Sequence, residues 1–449
     1  MNNLEYKSNK LNTVVFLIVL YALLLLLYLQ NGSIISIFLY GLIFFMAIKQ
    51  PPSIFALLGA SNYIALFMGI SPIVLSCAEI IGIVLIKSVA YKHFKVRLFK
   101  IDKLFVALVL MLVWTFLTGK MQGDMLFFSN VFNFIIIYVA VKLFFSNISC
   151  RIDNVLMYFM LGIGVGVVVG IGANWGVPGF VSNHSFRLAV GERSDPNSTG
   201  LLMAILTVYL FIKVREVLDD NISKTIVMIV LLIGSIYTLI LTQSRGSVLS
   251  VVLVLVFYIL ISQKKVNLKT IIRMSVIIII AVISINLFDE YFKEILKAFD
   301  GFWQRVDGRN ATDGARGYLI MQGIESFIKH PILGISLGEF KVNSGHIPHN
   351  AFLDYLVTNG IIGAIFFIFV FCWPIIKMAK EFINSRKFSI YCCYIVCIVN
   401  ILNYSASGEK ITLILLLLLT IEYERVKFRT RKIMKGLNAY ENYNAWSDE

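Results

Sequence analysis

The sequence predicts an all-α protein that crosses a membrane many times. Hydrophobic residues make up 58% of the 449-residue chain and charged residues only 15%, whereas soluble domains average roughly 45–50% and about 25%. The mean hydropathy of +0.82 excludes an ordinary soluble fold. Apolar stretches close to the ~20 residues that cross a bilayer recur along the whole chain. We therefore expect residues 1–449 to form a single integral membrane domain.

The apolar stretches predict about 12–14 transmembrane helices. With ends set to within a few residues, the candidates are 12–29, 32–48, 53–69, 72–90, 103–118, 127–145, 155–173, 197–213, 224–242, 247–262, 271–288, 359–376, 388–404 and 410–424. The signals at 32–48, 53–69, 388–404 and 410–424 are the weakest because these stretches are short. The candidate 155–173 contains glycine at 162, 166 and 170. Small residues at this four-residue spacing let two helices pack closely.

The distribution of positive charge predicts the orientation. Most of the 40 Lys and Arg residues fall in loops on the same side as the N-terminus, and short cytoplasmic loops normally hold this excess. Both termini are therefore predicted to be cytoplasmic. The net charge of +14 is spread along one membrane face, which favours attraction to anionic lipid headgroups over nucleic-acid binding.

Two loops on the opposite, outer face are long. They span 174–196 and 289–350 and contain His184, His330, His346 and His349, four of the five histidines. Long connections in a compact protein usually have a function beyond joining helices. Within the second loop, ARGYLIMQGIESFIKHP places Ile320, Ile324, Phe327 and Ile328 on one helical stripe. This pattern predicts an amphipathic helix over 315–331 that lies on the outer membrane surface or over a cavity.

Arginines recur just outside the apolar stretches on this outer face. LTQSRGSVLSVV places Arg245 in a very short turn between two helices. FRLAVGERSDPNSTG places Arg187 and Arg193 ahead of a helix, and DGARGYL places Arg316 at the head of the amphipathic helix. A guanidinium group binds phosphate oxygens two at a time. An outward-facing group of arginines therefore suits a lipid-linked diphosphate, although each arginine alone can simply extend toward lipid headgroups.

The segment SGHIPHN contributes two candidate general bases, His346 and His349. An imidazole titrates near neutral pH and can accept a proton from a hydroxyl group, while a structural, hydrogen-bonded role is the alternative. The outer face has neither an HExxH motif nor paired aspartates, so no metal and no other cofactor is expected.

Four stretches, in this order, resemble motifs of the O-antigen ligase and O-antigen polymerase superfamily of membrane proteins. They are RLAVGERSDPN, LTQSRG, GARGYLIMQGIESFIKHPILGISLGEF and HIPHNAFLDYLVTNGIIG, and they cover roughly 186–376. The resemblance implies a GT-C-like, metal-independent glycosyltransferase. It also implies a donor carried on undecaprenyl diphosphate and a site on the outer face of the cytoplasmic (inner) membrane.

The resemblance also implies roles for individual residues. Arg245 and Arg316 would bind and stabilise the diphosphate leaving group, and His349 would activate the acceptor hydroxyl. The same motifs suggest further substrate contacts at Arg187, Arg193, Asn197, His346 and Asn350. Pro348 stands where the family often has a small or polar residue, which makes His346 the less secure of the two histidines.

The leading hypothesis from the sequence is a polymerase that joins lipid-linked repeat units into O-antigen or capsule. The ligase that transfers a finished chain to lipid A-core is the alternative within the superfamily. A lipid-linked sugar flippase or other transporter is the alternative from another class, and it predicts functional charges buried in mid-helix and two symmetric halves. The expected partners are undecaprenyl-diphosphate-linked oligosaccharides, the lipid bilayer, and the chain-length regulator and flippase of the same pathway.

Overall fold

The computed structural model shows a helical protein. It describes residues 43–64, 72–90, 96–173, 196–217, 222–262, 312–348, 350–385, 388–402 and 409–445, and these ranges contain helices and turns but no strand. Five of the described helical segments are long and apolar enough to cross a membrane. The prediction of an all-α polytopic membrane protein is confirmed. The predicted spans 12–29 and 271–288 lie outside the described residues, so the total number of spans stays a prediction.

The helices are named here in chain order. They are α1 (Phe55–Ile64), α2 (Pro72–Ala90), α3 (Lys103–Gln122), α4 (Leu126–Asn147), α5 (Ile152–Ala173), α6 (Pro196–Val217), α7 (Ile222–Leu241), α8 (Arg245–Ser262), α9 (Thr312–Lys329), α10 (Leu337–Ser344), α11 (Ala351–Phe367), α12 (Trp373–Ser385), α13 (Phe388–Ile401) and α14 (Glu409–Ala445). A short 3₁₀ turn, Pro51–Ile54, precedes α1, and a π-helical turn, Ile368–Cys372, joins α11 to α12.

Several helices extend beyond the apolar stretches that predicted them. The stretch 103–118 belongs to a helix that continues to Gln122, and the stretch 410–424 belongs to one that continues to Ala445. Hydropathy marks only the part of a helix that suits hydrocarbon, whereas the backbone hydrogen bonds continue into polar sequence. The predicted spans therefore mark the apolar part of each helix and not the end of the helix.

Glycines bring α1 and α5 into backbone contact. A Cβ atom on Gly162 would lie 2.0 Å from the carbonyl oxygen of Ala56, and one on Gly59 would lie 2.1 Å from that of Phe159. Neither position has room for a side chain, so the two helices touch through their main chains. The predicted packing role is confirmed for Gly162, while the surroundings of the glycines at 166 and 170 are not among those described.

The helices α6, α7, α8 and α13 pack together, and the candidate site described below lies at one end of this group. At one end of this group, Arg215 Nη1 donates to Ser262 Oγ at 3.0 Å and Ser389 Oγ donates to Glu216 Oε1 at 3.4 Å. These contacts join the end of α6 to the end of α8 and the start of α13. The opposite end, formed by the starts of α6 and α8 and the end of α13, is called the site end below.

Gly162→Ala should destabilise the protein by about 1–3 kcal/mol, because an added methyl group must push α1 away from α5. The measurement is thermal unfolding of the purified protein in detergent. Gly82→Ala is the matched control, since a Cβ there would meet only the Phe44 ring at 3.4 Å, and alanine is the better helix former. Equal stability of the two variants would contradict the backbone contact.

Candidate active site

Arg245 begins α8 directly after a buried, tightly constrained turn. Thr242, Gln243 and Ser244 are all buried, and Gln243 has a φ of 49°, in the left-handed region that few residues other than glycine adopt. Thr242 closes the turn, because its Oγ1 donates to the Leu239 carbonyl at 2.6 Å and accepts from the Ser244 N–H at 3.3 Å. The turn therefore fixes the point at which the half-buried Arg245 leaves the bundle.

The start of α6 presses against this turn. A Cβ atom on Gly200 would lie 2.7 Å from Ser244 Cβ and 2.8 Å from Ser247 Oγ. Asn197 lies three residues before Gly200, in the first turn of the same helix. Residues three apart lie on the same side of a helix, so Asn197 lies about one helical turn before the point at which α6 meets the turn that precedes Arg245.

Buried polar side chains join the start of α8 to the end of α13. Ser244 Oγ and Ser247 Oγ are 2.9 Å apart, and Ser247 Oγ donates to Asn400 Oδ1 at 2.8 Å. Asn400 Nδ2 in turn donates to Ser250 Oγ at 2.6 Å. Each side-chain polar atom in this series of hydrogen bonds thus has a partner, as polar groups away from water require. The sequence alone assigned no role to Ser244, Ser247 or Asn400.

Asn350 joins the start of α11 to the same place. Its Oδ1 accepts from the Leu353 N–H at 3.0 Å and so caps α11, while its Nδ2 donates to the Leu402 carbonyl at 2.5 Å. Leu402 lies two residues after Asn400 and directly follows α13. The starts of α6, α8 and α11 therefore converge on the end of α13. His349, the neighbour of Asn350 in the chain, lies outside the described residues.

The helix that follows Asn350 is broken at Gly360. This residue has φ 62° and ψ −159°, and a Cβ atom on it would lie 2.1 Å from the Ile332 carbonyl oxygen. The segment Pro331–Ile335 runs through the break, where the Ile361 N–H donates to the Pro331 carbonyl and the Ile335 N–H donates to the Val357 carbonyl, both at 2.8 Å. The loop thus supplies hydrogen bonds that the interrupted helix cannot make for itself.

Polar residues of α3 hold this break from the other side. Trp114 Nε1 donates to the Asn359 carbonyl at 3.0 Å, and Thr118 Oγ1 donates to Asn359 Oδ1 at 3.0 Å. Gln122 Nε2 donates to the carbonyls of Leu333 and Thr358 at 2.9 and 3.1 Å. The break is therefore a built feature of the fold.

The break also explains a difference from the predicted span 359–376. The helical run from Ala351 to Ser385 has 35 residues, about 50 Å at ~1.5 Å per residue, which exceeds the ~30 Å of the hydrocarbon core. Gly360 divides this run, and the predicted span begins at the division. Hydropathy found the part after the break and missed the helical segment Ala351–Asn359 before it.

The predicted amphipathic helix exists, as α9, and presents three sectors. Leu319 and Gly323 face the protein, where a Cβ on Gly323 would meet Leu353 at 2.8 Å. The predicted stripe residues Ile320, Ile324 and Ile328 are instead 44%, 47% and 69% exposed. A third, polar sector holds the ion pair between Lys329 Nζ and Glu325 Oε1 at 2.9 Å, and this hydrogen bond lowers the pKa of the Glu325 carboxyl.

Arg316 lies near the start of α9, and the packing of this helix shows which end of α11 it approaches. Gly323 meets Leu353 and Pro331 meets Ile361, so the two helices run in the same direction. Arg316 precedes Gly323 by seven residues, a rise of about 10 Å. The main chain at Arg316 therefore lies toward the end of α11 that Asn350 caps.

The other predicted site residues lie apart from this cluster or outside the described part of the chain. His346 is exposed, and its carbonyl accepts from Ser344 Oγ at 2.7 Å. Arg187 and Arg193 fall outside the described residues. Within the ranges that are described, no three His, Cys, Asp or Glu side chains are grouped closely enough to hold a metal ion.

One carboxyl near the site escaped the sequence analysis. Asp354, one turn after Asn350, is 1% exposed, and its Oδ1 makes no hydrogen bond in the described part of the structure. A buried ionised carboxylate without a partner is costly, and an ionisable residue in an apolar helix is a functional candidate for that reason. In the sequence, Asp354 can be recognised only as a single aspartate inside the apolar stretch AFLDYLV.

Two comparisons with known proteins bear on this arrangement. Residues 227–368 match the family model described as O-antigen ligase, a range that includes α8, α9 and α11. A curated relative, the ComP-specific O-oligosaccharyltransferase of Acinetobacter baylyi, is 24% identical over 310 residues, which is 65% of this chain and 50% of the relative. The chain thus spans about half the length of that relative. The resemblance to the O-antigen ligase and polymerase superfamily is confirmed.

Gly360→Ala should weaken the docking of Pro331–Ile335, because alanine disfavours the φ of 62° and its methyl group would meet the Ile332 carbonyl. Backbone strain of this kind costs about 1–3 kcal/mol. Hydrogen exchange at the amides of Ile335 and Ile361 should become faster. Gly338→Ala, which has only Ser336 Oγ at 3.8 Å, is the control, and unchanged exchange in Gly360→Ala would refute the docking.

Proposed function

We propose that this protein transfers a sugar chain from a lipid-linked diphosphate donor to an acceptor hydroxyl group at the outer face of the cytoplasmic membrane. The observation that carries the proposal is the convergence on the end of α13 of the starts of α6, α8 and α11, the helices whose first turns or caps include Asn197, Arg245 and Asn350. The matching family model and the oligosaccharyltransferase relative support it independently.

The convergence suits a diphosphate group electrostatically. Three helices begin at the site end, and the N-terminal end of a helix carries positive partial charge. Arg245 adds a full charge on a fixed turn, and α9 carries Arg316 toward the same end. As the anomeric bond breaks, negative charge develops on the leaving diphosphate. Fixed guanidinium groups therefore stabilise the transition state more than the ground state.

His349 is the proposed base for the acceptor. The acceptor oxygen attacks the anomeric carbon while the bond from that carbon to the diphosphate oxygen breaks, and the electron pair leaves with the diphosphate. The hydroxyl proton passes to the imidazole of His349. A well-placed base of this kind contributes about 10²–10⁴-fold. Asn350 supports the placement, because both ends of its amide are hydrogen-bonded.

The exposed apolar sector of α9 supports access from the membrane. Ile320, Ile324 and Ile328 are exposed on α9, and Ile361 and Ile365 are exposed on α11, which the Pro331–Ile361 hydrogen bond places next to the end of α9. A helix with one protein-facing, one apolar and one charged sector fits the boundary of protein, lipid and water. We propose that α9 lies on the outer leaflet, so that a donor on undecaprenyl diphosphate reaches the site sideways.

Ligation and polymerisation use the same donor and differ in the acceptor. The sequence favoured polymerisation of repeat units. The O-antigen ligase description of the matching family and the oligosaccharyltransferase name of the relative favour ligase-type transfer. Ligation to a separate acceptor, such as lipid A-core, is therefore our first candidate and polymerisation the second.

The surface glycans of a deletion strain separate the two candidates. Finished polymer left on the carrier lipid indicates a ligase, whereas single repeat units attached to lipid core indicate a polymerase.

A reconstitution experiment tests the enzyme class itself. The purified protein in liposomes receives the acceptor and the lipid-linked oligosaccharide that the deletion strain accumulates. Correctly inserted protein that moves the donor across the bilayer but forms no glycosidic bond would identify a flippase instead. Loss of product when the pathway's chain-length regulator or flippase is also deleted would test these two proposed partners.

Arg245→Ala and Arg316→Ala should each lower product formation by about 10²–10³-fold, the usual loss on removing one transition-state contact. Arg245→Lys should retain part of the activity, because lysine keeps the charge without the planar fork. Lys329→Ala, which removes only an exposed ion pair, is the control. Normal product from both alanine variants would disprove the diphosphate role.

His349→Ala should lower kcat far more than His346→Ala does, because only His349 adjoins the anchored Asn350. The loss expected for a missing base is about 10²–10⁴-fold, against a few-fold for His346. The initial rate at saturating donor and acceptor measures both. Equal losses in the two variants would contradict the assignment.

Activity should survive chelation, because in the proposed mechanism arginine side chains carry the role that a metal ion plays elsewhere. The test is product formation by purified protein before and after dialysis against EDTA. Loss of activity that a divalent metal restores would overturn the metal-free mechanism.

A further inference from the structure

Asn400 is a buried amide, 4% exposed, whose hydrogen-bonding groups are all engaged. Its Oδ1 accepts from Ser247 Oγ at 2.8 Å. Its Nδ2 donates to Ser250 Oγ at 2.6 Å and to the Val396 carbonyl at 2.9 Å, which uses both amide protons. One side chain of α13 thus bonds two side chains of α8, Ser247 and Ser250, which lie one helical turn apart on the same face.

On the α8 side, these contacts reach the turn that carries Arg245. Ser247 and Ser250 are three residues apart in the first two turns of the helix, and Ser247 Oγ also lies 2.9 Å from Ser244 Oγ. Asn400 therefore fixes both the rotation of α8 about its axis and its position along that axis relative to α13.

On the α11 side, the same end of α13 holds Asn350. The Leu402 N–H donates to the Ile398 carbonyl at 3.2 Å, which orients the last turn, and the Leu402 carbonyl accepts from Asn350 Nδ2 at 2.5 Å. Any shift of the end of α13 relative to α8 moves this carbonyl, and with it the hydrogen-bonded side chain of Asn350.

We infer that Asn400 is a positioning residue that holds the start of α8, where Arg245 lies, in a fixed position relative to Asn350 at the start of α11. The inference rests on the proposed function, in which Arg245 holds the donor and His349 acts on the acceptor. A displacement of about 1 Å between reacting groups costs roughly 10²-fold in rate, so the register of α13 against α8 matters to the chemistry. The low polarity around a buried amide makes such contacts costly to leave half-made.

Asn400→Leu tests the inference, because leucine has a similar volume and makes none of the three hydrogen bonds. We expect kcat to fall about 10²-fold while the KM for the lipid-linked donor changes only a few-fold, since Arg245 still binds the diphosphate. Thr207→Val is the matched control. It removes a buried hydrogen bond of 3.0 Å to Ser235 between α6 and α7 of the same bundle, and it should leave kcat unchanged.

A double-mutant comparison separates positioning from general loss of structure. If Asn400 acts through Leu402 and Asn350, Asn350→Ala/Asn400→Leu should be no slower than the slower single variant. Independent effects would multiply instead. If Asn400→Leu fails to fold, Asn400→Asp is the second variant, because aspartate has nearly the same shape as asparagine. Its rate relative to wild type should rise as the pH falls, because a protonated carboxyl regains a donor for Ser250.

Each outcome decides the inference. A normal kcat in both Asn400 variants, multiplying effects with Asn350→Ala, or an equal loss in Thr207→Val would overturn it. Normal Asn400 variants beside an inactive Arg245→Ala would remove this inference alone. Inserted wild-type protein that forms no product would instead remove the proposed function.

Discussion

The structure depends on one constraint, namely that a polar group within the hydrocarbon is costly unless it finds a hydrogen-bond partner inside the protein. This constraint explains why the described chain is helical and why its one described internal break, at Gly360, is occupied by another segment. Pro331 and Ile335 take up the backbone groups beside the break, and three side chains of α3 close it from the other side. The loop after α9 is thereby fixed in place, and so is the approach of α9 to α11.

The same constraint builds the site. The amide of Asn400 and the hydroxyls of Ser247 and Ser250 satisfy one another, and in doing so they lock the start of one helix to the end of another. Asn350 adds a third helix by capping its own N-terminus and bonding to the Leu402 carbonyl. Hydrogen bonds that the membrane makes obligatory therefore also fix the starts of α8 and α11, at which Arg245 and Asn350 lie.

Local patterns in the sequence were enough to predict several of these parts. The glycine spacing predicted the close contact at Gly162, the isoleucine stripe predicted α9, and the short turn predicted the constrained start of α8. Hydropathy was less informative about where a helix begins and ends, and the predicted span 359–376 therefore missed the segment Ala351–Asn359 before the break. It was also silent on Asp354 and Asn400, because a single polar residue in an apolar stretch carries no periodic signal.

The sequence by itself determined the helical membrane class, the superfamily resemblance and the residues from which a site can be built, because each depends on local composition, period or motif. The tertiary structure decided which of them meet. The contacts of Ser247 with Asn400, Asn350 with Leu402, and Pro331 with Ile361 join segments that are far apart in the chain. Such pairings follow from how whole helices pack, and no window of the sequence contains both partners.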